Sequence, residues 1–219
     1  MNVYERIVER LKEEPLLREY KYEKTRDAFI RLMNGVEVIL SLRVSNAYDW
    51  FKITPLVSVY YPELNEWYEP FSVGPMKEWR SGSNRGTGAD ASCFWPAGNY
   101  SLWFEQENID DTYGKLLQDI EPMLEYVQDK FVDKKYYYNF AVKPLITGKR
   151  VFPGSGARWL FEYLAACRAV APKSYPKLKD MVVELIRERA TWDPDIWMSE
   201  GKWDEIFATL ESHDFHRNE

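Results

Sequence analysis

The chain has 219 residues, 45% of them hydrophobic and 16% aromatic, and a formal net charge of −6. That is ample apolar material for an independent core, and no run of about 18 apolar residues offers a membrane-spanning helix. Its two histidines, His213 and His216, fall in the last seven residues, which removes the commonest acid/base residue, metal ligand and nucleophile partner from the body of the fold.

Residues 3–14 place Val3, Ile7, Val8 and Leu11 at helical spacing with charges opposite, and Pro15 closes that amphipathic helix. This charged opening is unlike an apolar signal segment, so a cytoplasmic protein is expected. Next come Ala28–Met33, the pair Asn34-Gly35, and Val36–Val44. An Asn-Gly pair between β-prone runs predicts a hairpin, because both central positions of a type I′ turn need positive φ.

Further strands are expected over Phe51–Tyr61, where Pro55 suits an edge or a bulge, over Trp67–Val73, around Ser92–Trp95, and over Asn99–Glu105. Strands with short links and no intervening helix imply an antiparallel meander. From Asp110 the period changes. Tyr113, Leu116, Leu117, Ile120, Leu124, Val127 and Phe131 trace a helical stripe, with Pro122 predicting a kink or two helices. Residues 134–152, with Tyr136-Tyr137-Tyr138, read as strand or extended linker. Three helices follow, one carrying Trp159, Leu160, Tyr163, Leu164 and Cys167, one running from about Pro176, and one over Lys202–Leu210.

The fold class is therefore α+β: an antiparallel β-meander in the N-terminal half packed against a helical C-terminal half. The expected division is residues 1–133, a helix, a sheet and a covering helix, and residues 134–219, a helical part that either stands alone or belongs to the same domain.

Residues 91–133 concentrate the charge, with nine acidic groups against Lys115 and Lys130. Such a face repels phosphate backbones. It reads either as a solvated helix surface or as a docking surface for a basic protein, with Glu121, Glu125 and Asp129 as its contact residues. Neither nucleic acid nor a membrane is expected as a partner.

The stretch Trp79–Gly88 has three glycines, several hydroxyls, Arg80 and Arg85, and is flanked by Trp79 and by Phe94-Trp95. Freed backbone amides and guanidinium forks suit a phosphate or carboxylate, yet the Lys-Ser/Thr ending of a phosphate-binding loop is missing. Arg80, Arg85, Trp79 and Trp95 are the candidate ligand residues, against the alternative of a plain connecting loop. Pro153–Arg158 runs a Gly-x-Gly into a helix start, which fits an anion site or an ordinary N-cap. Of the nine tryptophans, Trp50, Trp67, Trp79, Trp95 and Trp103 lie in the β-rich half, as core or as a ligand platform.

Asp110-Asp111 and the Glu105/Glu107 pair are the clustered carboxylates, better suited to a helix dipole than to catalysis. Cys93 and Cys167 are too far apart for a metal or redox motif and read as buried thiols. No metal site and no cofactor is expected.

The segments Phe29-Ile30-Arg31, Asn99–Phe104 and the Leu-x-x-x-Ile-x-Pro-x-Leu run from Leu116 to Leu124 resemble bacterial α+β domains of unknown function. In size and charge the chain also resembles the immunity partners of secreted toxins. The resemblance implies no catalytic residues. Two functions are carried forward, a noncatalytic interaction module using the acidic face, and a binder or histidine-independent enzyme for a small anionic or sugar-like ligand.

Overall fold

The computed structural model describes residues 2–47, 50–71, 87–90, 102–104, 109–151, 157–190 and 200–215. The chain divides into two compact units, Met1–Tyr60 with Glu78–Val132, and Tyr61–Lys77 with Asp133–Glu219.

The first unit opens with helix α1 (Val3–Glu13), which buries Val3, Ile7, Val8 and Leu11. Its start is fixed by a reciprocal cap: Glu5 N–H donates to the Asn2 side chain, and Asn2 N–H donates to the Glu5 carboxylate, both at 2.8 Å. Strands β1 (Lys21–Glu23), β2 (Ala28–Met33), β3 (Val36–Ala47), β4 (Trp50–Tyr60), β5 (Thr87–Asp90) and β6 (Leu102–Phe104) follow. They form one antiparallel sheet in the order β1-β2-β3-β4-β5, with β6 also pairing to β4.

The β2–β3 hairpin turns on Asn34 at φ 50° and Gly35 at φ 77°, the two positive values that a type I′ turn demands. A Cβ added at Gly35 would meet no atom within 4 Å, so only backbone strain opposes a side chain there. Gly35→Ala is expected to cost about 1 kcal/mol in urea denaturation. A change indistinguishable from zero would show that the turn is not under conformational selection.

Pro55 sits inside β4, opposite Leu42 of β3. On the other side of β4, β5 pairs with Leu56–Val59 and β6 with Phe51–Ile53. Residues 54 and 55 fall between those two stretches, where a missing N–H removes no ladder bond on that side. Helix α3 (Ile109–Lys130) lies against β3, β4 and β6 and buries Leu116, Ile120, Met123, Leu124 and Val127. It is one helix and not two. Pro122 lies on its half-exposed side, one turn beyond the exposed Gln118, whose carbonyl loses its helical partner where water can replace it.

In the second unit, α2 (Pro62–Asn65) leads into a 3₁₀ turn, Glu66–Phe71, where a strand over Trp67–Val73 was expected. The described part, to Phe71, is helical because its polar atoms are satisfied locally. The Trp67 indole donates to the Leu64 carbonyl at 2.8 Å, Asn65 Nδ2 donates to the Tyr61 carbonyl at 2.9 Å, and the Tyr68 hydroxyl donates to Asn65 Oδ1 at 3.0 Å. Pro62 at the first helical position sets the turn going.

The tyrosine run is also helical and not extended. Helix α4 (Lys134–Tyr137) passes through one π turn (Tyr138–Val142) into α5 (Lys143–Ile146). Asp133 caps it, accepting from Lys135 N–H at 2.8 Å. Buried residues recur every four positions, Tyr137, Ala141 and Leu145, then Tyr138, Val142 and Ile146, and this helical burial overrides the β preference of tyrosine. Gly148, at φ 70°, ends α5 in a Schellman motif, with Lys149 N–H on the Pro144 carbonyl at 2.8 Å and Gly148 N–H on Leu145 at 3.0 Å.

Helices α6 (Ala157–Val170), α7 (Tyr175–Ala190) and α8 (Glu200–Ser212) complete this unit. Arg168 of α6 donates to the Leu210 carbonyl near the end of α8 at 2.6 Å, and Lys179 of α7 pairs with Glu211 at 2.7 Å. The architecture is α+β, an antiparallel sheet early in the chain and helices late. Among the described residues no helix is long and apolar enough to cross a membrane. The expected strand around Ser92–Trp95 lies outside the described residues, and of the one over Asn99–Glu105, Leu102–Phe104 is described.

Candidate functional site

Glu121, Glu125 and Asp129 are spaced four apart on α3 and all three are exposed, so the helix aligns them as one stripe opposite its buried face. Among the described residues Glu121 and Glu125 make no ion pair, while Asp129 pairs with Lys130 at 2.5 Å. The neighbouring carboxylates do different work. Asp110 is held by Arg10, whose guanidinium also lies 3.9 Å from the centre of the Tyr113 ring. Asp119 is half-buried, and that burial pushes its carboxyl above the ordinary range.

The other candidate residues are not gathered by the described structure. Arg80, Arg85, Trp79 and Trp95 lie outside the described residues, as do Cys93, His216, Glu105, Glu107 and the Pro153–Gly156 part of the Gly-x-Gly stretch. Cys167 is fully buried, and burial raises its thiol to about 12, the reverse of what a reactive thiolate needs. His213 sets its ring against Phe215 at 4.6 Å. Among the described residues no group of three His, Cys, Asp or Glu side chains could hold a metal ion.

Two features escaped the reading of the sequence. The first is Glu162, 1% exposed in α6. Tyr61 and Tyr137 lie against each other at 5.1 Å between ring centres, and Tyr137 is 6.5 Å from Tyr163. Burial first, and the Glu162 charge second, push all three phenols well upward, Tyr163 to about 12. The group is a buried acid among phenols held in their neutral form, which packs and orients side chains but prepares no nucleophile. The signal was a stretch, Leu160 to Cys167, that is apolar but for a single acid. A helix apolar all round is interior, so its one carboxylate is interior too.

The second is a cationic stretch directly after the acidic one. Lys134, Lys135, Lys143, Lys149 and Arg150 occur with no acid between residues 134 and 151. Lys134 pairs with Glu63 at 2.5 Å, and the other four are exposed. Charge patterning alone could have exposed it.

No family model, no curated protein and no solved structure matches the chain.

Proposed function

We propose that the chain is a noncatalytic protein-interaction module whose acidic α3 face docks a basic protein, in the manner of small acidic proteins that neutralise basic toxins or nucleases. The observation that carries this reading is the Glu121–Glu125–Asp129 stripe. Like charges four residues apart each weaken a helix by about 0.2–0.5 kcal/mol, and here two of the three carboxylates have no counter-charge among the described residues. A cationic partner relieves that repulsion and is steered toward the surface by it. The upward-shifted thiol and phenols support the noncatalytic half of the proposal, because none of them is activated near neutral pH.

The test is binding of an immobilised oligolysine peptide, followed by capture of basic proteins from the native host, both at low and at physiological salt. Reversing the stripe with E121K, E125K and D129K is expected to lower oligolysine affinity on the order of tenfold or more, mainly through the association rate. Because the three side chains are exposed, thermal stability should stay nearly unchanged. Undiminished, salt-sensitive binding by the reversed variant would falsify the assignment of the surface.

A further inference from the structure

We propose that the exposed corner formed by Phe140, Arg150 and Val151, flanked by Lys135, Lys143 and Lys149, is a peripheral docking surface for an anionic phospholipid membrane. It is independent of the acidic stripe and lies wholly within the second unit. The Schellman turn at Gly148 folds Lys149 and Arg150 back over α5, with Arg150 N–H on the Pro144 carbonyl at 3.1 Å. This brings the Arg150 guanidinium to 6.0 Å from the centre of the Phe140 ring.

Four cations there, Lys135, Lys143, Lys149 and Arg150, are exposed and form no ion pair among the described residues. The same short stretch holds two of the three exposed large hydrophobic side chains among the described residues, Phe140 at 36% and Val151 at 84%. Cations interleaved with exposed apolar side chains match an anionic bilayer surface, where headgroups take the charges and the acyl boundary takes the apolar groups, Val151 foremost.

A nucleic acid fits the corner less well. Tyr136 stacks on Phe140 at 6.2 Å with 13° between the ring planes, and Arg150 is also against that ring. The pair therefore offers no open platform for a base. Phosphates also have no use for an exposed valine. The absence of a membrane-spanning run, on which the expectation of no membrane partner rested, does not bear on surface docking, which needs no such run.

Each cation at such a surface raises partitioning by roughly fivefold. The experiment is co-sedimentation of the full chain with vesicles of phosphatidylcholine alone and of phosphatidylcholine mixed with phosphatidylserine. The expected result is a preference for the phosphatidylserine vesicles that falls with added salt. The triple variant K143Q/K149Q/R150Q should lose on the order of 100-fold in partitioning, leaving only the small preference that Lys135 supplies, and V151S should lose several-fold. Circular dichroism melting confirms that these exposed substitutions leave the fold intact.

Equal partitioning to both vesicle types, or partitioning undiminished in the triple variant, overturns the proposal. So does a V151S variant that binds as well as the parent, since the apolar contact is then not made. Binding of a single-stranded oligonucleotide in place of vesicles overturns it in favour of a nucleic-acid surface.

Discussion

Phe161→Ala is expected to cost about 3–5 kcal/mol, the largest effect of any single substitution considered for this chain. Phe161 is wholly buried in α6. Its ring is 5.0 Å from Tyr68, 5.1 Å from Trp203 and 6.0 Å from Trp67, the last at a near-perpendicular 79°. Three large rings cannot collapse into the space of a missing fourth without leaving their rotamers, so a cavity remains, and its lining loses dispersion contacts as well as burial. Against a total stability of order 5–15 kcal/mol, that loss is a large fraction of the whole. Phe161→Leu, which keeps most of the volume, should cost well under half as much. Urea denaturation followed by tryptophan fluorescence gives the comparison. An alanine variant within about 1 kcal/mol of the parent would mean that the aromatic cluster repacks and that Phe161 is not its keystone.

That cluster shows where sequence reasoning stops. The Asn34-Gly35 turn and the Val3–Leu11 stripe were legible because their causes are local: a backbone that needs positive φ, and a helix that shows one apolar side. The acidic stripe was legible for the same reason, since residues four apart on a helix share a face whatever surrounds them. Trp67 and Tyr136–Tyr138 misled because the β preference of aromatic residues reflects fit to a half-buried pleated surface, and these rings found burial inside helical turns. Tyr61 shows the limit most clearly. Nothing near it in sequence indicates that its ring will meet Tyr137, and Glu162, read in isolation, looks like an ordinary surface acid. Long-range apposition of this kind has no short-range signature. The stretch holding Trp79, Arg80 and Arg85 lies outside the described residues, so its ligand chemistry rests on composition alone.

Stability should fall steeply on the alkaline side, and the phenols around Glu162 set where. Tyr61, Tyr137 and Tyr163 are 1%, 1% and 5% exposed, and burial followed by the Glu162 charge raises all three above the ordinary tyrosine value of about 10. Below about pH 10 both the folded and the unfolded chain keep these protons, and the raised values have no effect. Above it the unfolded chain releases them while the folded chain holds on, for Tyr163 until about pH 12. Over that window the loss for each phenol climbs toward about 1.4 kcal/mol of stability per pH unit, so three together remove about 3 kcal/mol between about pH 10 and pH 11. Tyr4 and Tyr113, which donate to Asp27 at 2.6 Å and to Glu14 at 2.8 Å, are also raised and steepen the edge, though the partial exposure of Tyr4 weakens its share. Urea midpoints taken at intervals from about pH 9 to pH 11.5, with tyrosinate absorbance read on the folded protein, test the sign and the window together. The expected record is a flat midpoint to about pH 10, a fall beyond it, and tyrosinate signal from the buried phenols that arrives only with unfolding. Full tyrosinate formation near pH 10 in a chain that stays folded would show that these phenols reach solvent, and with it that Glu162 does not sit in a closed interior.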